Sequence, residues 1–345
     1  MEPVGPVTGL RSVAVSEWIV SLGCGATPPL SFDPLGSGKS NLVSLVTDAN
    51  RNRWVLRRPP MGRLAPSAHD IAREHEVLVA VNDSVPTPRV IALTTDPSIT
   101  DVPLMLLEHV EGLVLEDTEV AERTSPAWRG SLARSVPEAL AKVHAVDLEG
   151  VGLAQLASSK PYAQRQVKRW QRQWKELDTP SLSGVVGIAD RLAANAPTQN
   201  ETALVHGDFH LRNLILDPDS GAVRAIVDWE LCTLGDPLAD LGGLLAYWPR
   251  PGDDPMVPFS ASTLADFPER HELVGTYAEI TGRDVGAVAF WQALAYWKIA
   301  IIIQGVRVRA ARRGTRSPHY DERFVESLLA RAEQEIEAYE SNDAP

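Results

Sequence analysis

Cysteine is almost missing from this chain. Only Cys24 and Cys232 occur in 345 residues, far apart in sequence. That spacing argues against a disulfide framework and fits a reducing compartment, so a cytoplasmic location is expected. An excess of positive charge is also lacking: 33 Lys and Arg stand against 45 Asp and Glu, for a net charge of -12. Such a surface repels a phosphate backbone, which disfavours general nucleic-acid binding. The N-terminal MEPVGPVTGL lacks the basic start and apolar run of a secretory signal. There is no internal repeat and no low-complexity tract. An unbroken apolar run of membrane length is missing too. The most apolar window, 289–306, is interrupted by Gln292, Lys298 and Gln304. A lysine in mid-span is costly in lipid, so this window is expected to be a buried helix and no membrane partner is expected.

What is present is a soluble composition, 44% hydrophobic and 23% charged, with length for roughly two domains. Residues 14–22 read as a short amphipathic helix. NLVSLV and RWVLR, separated by TDANRN, read as a β-hairpin that Pro59-Pro60 ends. Residues 68–81 have helical spacing, and PTPRVIALTTD and VPLMLLEHVEG read as two further strands. After Gly112 the pattern turns helical at 129–146 and 161–177, pauses at a β segment over 203–229, and is helical again from about 237 to 340. A small N-terminal β lobe followed by a large helical lobe predicts an α+β chain with a ligand-sized cleft.

The chemistry concentrates in 203–240, ALVHGDFHLRNLILDPDSGAVRAIVDWELCTLGDPLAD. A short apolar strand delivers His206, Gly207 and Asp208 into a loop. Asn213 follows five residues later, and a second hairpin ends in Asp228. Two carboxylates and an amide oxygen are hard ligands that suit Mg²⁺. A carboxylate not used by the metal can accept a proton from an attacking hydroxyl.

HGDFHLRN followed by IVDWE resembles the catalytic segment of the aminoglycoside phosphotransferase family, which shares the protein-kinase-like fold. SGKSNL, WVLRRPP, AREHEVL, LLEHVEG, ALAKVHAVD, RQVKRW, GDPLADL and YWKIAIIIQGVRVRA follow the family's order. The last few are most similar to a subgroup fused to acyl-CoA dehydrogenases. The resemblance implies a two-lobed fold: residues 1–107 as a nucleotide-binding lobe with one main helix, 108–112 as hinge, and 113–345 as the catalytic and substrate-binding lobe. It implies Asp208 as catalytic base, with Asn213 and Asp228 as Mg²⁺ ligands. It places Ser37, Gly38, Lys39, Ser40 and Asn41 over the phosphates of ATP, with Glu108, His109 and Val110 beside the adenine. Arg57 stands where kinases carry a phosphate-gripping lysine, paired with Glu74. Alternate strand residues face opposite ways, so only one of Arg57 and Arg58 can serve. Asp240 is expected to brace the catalytic loop, and His210 stands where protein kinases have a lysine.

The implied activity is transfer of the γ-phosphoryl group of ATP to a hydroxyl of a small molecule. The basic stretch Arg307, Arg309, Arg312, Arg313 and Arg316 reads either as a solvated edge or as a site for an anionic acceptor such as a hydroxyacyl-CoA. A non-catalytic nucleotide-binding relative stands beside this reading. A P-loop NTPase is disfavoured because Asp33 occupies the position where that motif needs its first glycine. RNA binding through the basic stretch RQVKRWQRQWKEL, whose Trp170 and Trp174 share a helix face, is disfavoured by the net charge.

Overall fold

The computed structural model describes residues 9–35, 41–59, 71–177, 179, 182, 184–250, 253, 259–315 and 320–342. Ser37, Gly38, Lys39, Ser40 and Arg316 lie outside these residues. The chain forms two compact units, Met1–Gly112 with Arg224–Glu230, and Leu113–Val223 with Leu231–Pro345.

The first unit is built on one antiparallel sheet. It begins with helix α1 (Ser12–Ser21) and strands β1 (Ser31–Pro34), β2 (Leu42–Thr47) and β3 (Arg53–Arg58). Helix α2 (Ile71–Val81) follows, then β4 (Val90–Thr94) and β5 (Leu104–Glu108). The strand order is β1-β2-β3-β5-β4. The β2–β3 turn is set by Asp48, whose Oδ1 accepts the N–H groups of Asn50 and Asn52, both at 2.8 Å. Such a carboxylate replaces the backbone acceptors that a tight turn leaves out. Trp54 and Leu56 of β3 bury against Val46, Leu104, Leu106 and the α1 residues Val15 and Ile19. The pleat therefore turns Arg57 to the opposite face, where Glu74 of α2 meets it. The 224–230 segment is tied into this unit by Ile226 N–H donating to the Pro86 carbonyl at 2.8 Å. Arg224 Nη1 likewise donates to the Glu111 carbonyl at 2.8 Å.

The second unit is mostly helical. Its first helices are α3 (Thr118–Glu122), α4 (Pro126–His144), α5 (Tyr162–Glu176) and α6 (Val185–Ala194). Short strands follow, β6 (Ala203–Val205), β7 (Leu214–Leu216) and β9 (Thr233–Gly235), while β8 (Val223–Ile226) leads into the 224–230 segment of the first unit. β6 pairs antiparallel with β9. The chain closes with α7 (Leu238–Ala246), α8 (Arg270–Thr281), α9 (Val288–Arg312) and α10 (Glu322–Asn342). The apolar window of the sequence lies in α9, which packs against α7 and α10 and is largely buried among them. Most of α9 from Phe290 to Gly305 is inaccessible to solvent, so the hydrophobicity that resembles a membrane span is satisfied by protein.

The α7–α9 contact is backbone against backbone. A Cβ added at Gly242 would stand 2.5 Å from the carbonyl carbon of Trp291 and 2.6 Å from the amide nitrogen of Gln292. The next residue, Gly243, meets no atom within 4 Å. Gly242→Ala is therefore expected to lower unfolding stability by about 2 kcal/mol through overpacking. Gly243→Ala is expected to leave stability unchanged or raise it by roughly 0.5–1 kcal/mol through helix propensity. Urea unfolding of the two variants checks the contrast.

Candidate active site

In the second unit, β6 delivers the chain into the turn at 206–208. Gly207 has φ 83°, and a Cβ there would stand 2.6 Å from the Leu231 carbonyl oxygen. Only glycine fits both the dihedral and the space. The turn is held from two sides by opposite charges. Asp240, in the first turn of α7, accepts the His206 N–H at 2.6 Å and the Gly207 N–H at 2.8 Å. Lys298 Nζ, from α9, donates to the Gly207 carbonyl at 2.9 Å. Asp240 is itself buried, with His144 Nε2 at 3.3 Å from its Oδ2.

Asp208 emerges from this turn. Asn213 Nδ2 donates to the Asp208 backbone carbonyl at 2.9 Å and lies 3.4 Å from its Oδ2. That fixes the five-residue spacing of the sequence as a closed local ring. His210 Nε2 is 3.3 Å from Asp208 Oδ2, and its ring packs edge-on against Tyr247 and Phe259. Burial pushes the Asp208 carboxyl up. His210, Lys298 and His206 outweigh it and hold the group well below the usual carboxylate range. Asp208 is thus an ionised, oriented acceptor that a hydroxyl can meet.

In the first unit, Arg57 gathers three carboxylates. Its Nε donates to Glu74 at 2.9 Å and its Nη2 to Asp228 at 2.6 Å, with Glu230 at 3.7 Å. Asn41 Nδ2 donates to Glu230 at 3.0 Å. Arg58 is buried on the other face of β3, where burial pushes its guanidinium down. Asp228 has φ 66°, a conformation that costs a non-glycine residue of order 1–3 kcal/mol and that recurs at functional sites. Glu108 ends β5, exposed, and His109 and Val110 follow it half-buried. Burial, then Arg53, pushes the His109 imidazole down.

The candidate metal ligands suit Mg²⁺ by type. The Asn213 amide nitrogen is committed to Asp208, which leaves its Oδ1 as the free end. Asp228 presents a carboxylate whose Oδ1 meets Arg57. Both are hard oxygen donors, as the ion prefers. Among the described residues, no group of three or more His, Cys, Asp or Glu side chains is arranged to hold a metal.

One side chain of this region went unnoticed in the sequence: Lys298 read only as an interruption of an apolar window. The overlooked signal was energetic: a lysine inside a core helix must find a partner.

The profile of the phosphotransferase enzyme family (APH) matches residues 31–273. The chain belongs to that phosphotransferase family. The chain is 32% identical over 315 residues to acyl-CoA dehydrogenase family member 10 of Mus musculus, covering 89% of this chain and 29% of that protein. It is 32% identical to family member 11 of Gallus gallus, covering 89% of this chain and 40% of that protein. The chain therefore spans well under half of these curated relatives. Among solved structures, a candidate aminoglycoside phosphotransferase from Ralstonia eutropha superposes with TM-score 0.75 at 27% identity, covering 96% of this chain and 98% of that one. Choline kinase of Cryptosporidium parvum superposes with TM-score 0.62 at 13% identity, covering 94% and 96%, which shows the fold alone. The small antiparallel sheet unit and the larger helical unit are thus those of the protein-kinase-like phosphotransferases.

The carboxylate crowding around Arg57 has a measurable consequence for this family member. Burial pushes Glu74 from its ordinary 4.5 up to about 7, against the opposing pull of Arg57. The folded state then binds the Glu74 proton more tightly than the unfolded chain does. Stability attributable to this group is present below pH 4.5 and is lost as pH rises to about 7, up to roughly 3 kcal/mol. Glu74→Gln is expected to flatten that part of the stability–pH profile, read by urea unfolding between those two values.

Proposed function

We propose that this chain is an ATP- and Mg²⁺-dependent kinase that moves the γ-phosphoryl group to a hydroxyl of a small molecule. The carrying observation is Asp208 locked by Asn213 inside a turn clamped by Asp240 and Lys298, within a phosphotransferase family match. Asp208 orients the acceptor hydroxyl and takes its proton as the new O–P bond forms and ADP leaves. Asn213 and Asp228 hold Mg²⁺, which neutralises charge on the phosphates. Ser37, Gly38, Lys39, Ser40 and Asn41 cover the phosphates, and Arg57, oriented by Glu74, contacts them. Glu108, His109 and Val110 receive the adenine. Positioning and charge neutralisation supply most of the rate in such a site.

The acceptor class proposed is a hydroxyacyl-CoA rather than an aminoglycoside. Supporting this are relatives named as acyl-CoA dehydrogenases and the arginines that end α9. A second reading, a nucleotide-binding protein without turnover, is favoured by one contact. The Arg57 cation assigned to phosphate sits 2.6 Å from the Asp228 carboxylate assigned to metal.

The test is phosphorylated product from Mg-ATP across hydroxylated acceptors. Asp208→Ala is expected to lower turnover by about 10²–10⁴-fold. Asp228→Ala is expected to abolish Mg²⁺-dependent turnover. Nucleotide binding without product from any acceptor would establish the second reading instead.

A further inference from the structure

The carboxylate that clamps the Asp208 turn is itself held, by hydrogen bonds that begin on α8. His144, the last residue of α4, and Tyr277 of α8 are both buried. His144 Nδ1 lies 2.7 Å from the Tyr277 hydroxyl, and its Nε2 lies 3.3 Å from Asp240 Oδ2. The same Oδ2 accepts the His206 N–H, while Oδ1 accepts the Gly207 N–H. Arg283, just past the end of α8, joins the chain. Its Nη2 donates to the His144 carbonyl at 3.0 Å, and its guanidinium also hydrogen-bonds the Tyr277 hydroxyl. Its Nε and Nη2 grip Glu201 at 2.8 and 2.5 Å, two residues before β6 delivers the turn.

The chemistry of the partners assigns each proton. A guanidinium can only donate, so the Tyr277 oxygen accepts from Arg283. Burial pushes the Tyr277 phenol up, so it keeps its own proton. Among the described residues, the acceptor for that proton is His144 Nδ1. Nδ1 then carries no hydrogen, and the imidazole proton sits on Nε2, facing the Asp240 carboxylate. A proton on Nδ1 would strand the phenol hydrogen. An Nε2 without one would set a lone pair against a carboxylate oxygen.

We propose that Tyr277 and His144 are positioning residues for the phosphoryl transfer. The phenol selects the Nε2–H tautomer of His144, and that N–H holds the Asp240 carboxylate in the orientation that clamps the His206 and Gly207 amides. The clamp aims Asp208. This rests on the kinase reading of Asp208 and adds to it two residues of the helical core. Neither hydrogen-bonds Asp208, Asn213 or Asp228, and neither exchanges a proton in the reaction.

The experiment compares the native protein with Tyr277→Phe, His144→Leu and His144→Gln. Tyr277→Phe keeps the ring and deletes only the hydroxyl. His144→Leu fills the space without a donor, and His144→Gln returns an amide N–H to it. Nitrogen-15 spectra of the imidazoles, taken without nucleotide, are expected to show His144 as the Nε2–H tautomer in the native protein and as a mixture in Tyr277→Phe. The His206 and Gly207 amides are expected to exchange with solvent about fivefold faster in Tyr277→Phe, the equivalent of one net hydrogen bond. In Mg-ATP-dependent phosphorylation, kcat is expected to fall about fivefold in Tyr277→Phe and about tenfold in His144→Leu, and to recover in His144→Gln. KM for Mg-ATP is expected to stay unchanged, because the interaction is expressed at Asp208 in the transition state. Tyr277→Phe decides the matter even if His144→Leu does not fold. A native Nδ1–H tautomer, or a Tyr277→Phe protein whose tautomer, amide exchange or kcat does not move, overturns the proposal. The expected tautomer and exchange changes with no phosphorylation of any acceptor sink the kinase reading alone.

Discussion

One carboxylate holds the turn before Asp208 in place. Asp240 is buried in the first turn of α7 and accepts two consecutive N–H groups from the chain leading to Asp208. Backbone donors are obligatory hydrogen-bonding groups, and β6 is too short to satisfy them. Lys298 answers from the other side by binding the Gly207 carbonyl. The turn is thus fixed by charges from two different helices, together with its own Asp208 N–H to His206 Nδ1 bond at 3.3 Å. Asn213 then closes the loop onto Asp208, so the carboxylate's direction is inherited from the helical core.

The first unit solves a different electrostatic problem. It places three carboxylates near one guanidinium and buries most of the cluster. A buried ion pair is no guarantee of stability, because desolvation can match the Coulomb gain. The arrangement depends on the shape of the Arg57 guanidinium. Arginine suits it better than lysine, since its fork can serve Glu74 through Nε and Asp228 through Nη2 at once.

The parts of this architecture visible in the sequence were those with a short period or a fixed spacing. The β2–β3 hairpin follows from two apolar runs around TDANRN, and α9 from an apolar window too polar to cross lipid. The spacing of Asp208 and Asn213 is local, so their contact could be anticipated. Alternation along β3 could say that Arg57 and Arg58 face opposite ways, but not which of them meets α2. Long-range convergence was hidden. Nothing near Lys298 points to Gly207, which is 91 residues away. Nor does the sequence reveal that Arg224–Glu230 returns to the first unit, because that depends on hydrogen bonds to Pro86 and Glu111.

Helix α9 carries several duties on one rod. Its backbone at Trp291 and Gln292 admits Gly242 of α7, its Trp291 and Lys298 side chains border a narrow recess beside Asp208, and its flanks pack on α10. The residues that border the recess are also masonry. A substitution that reshapes it must be absorbed by the packing of α9 on α7 and α10, so change there is slowed by the same contacts that keep the protein folded.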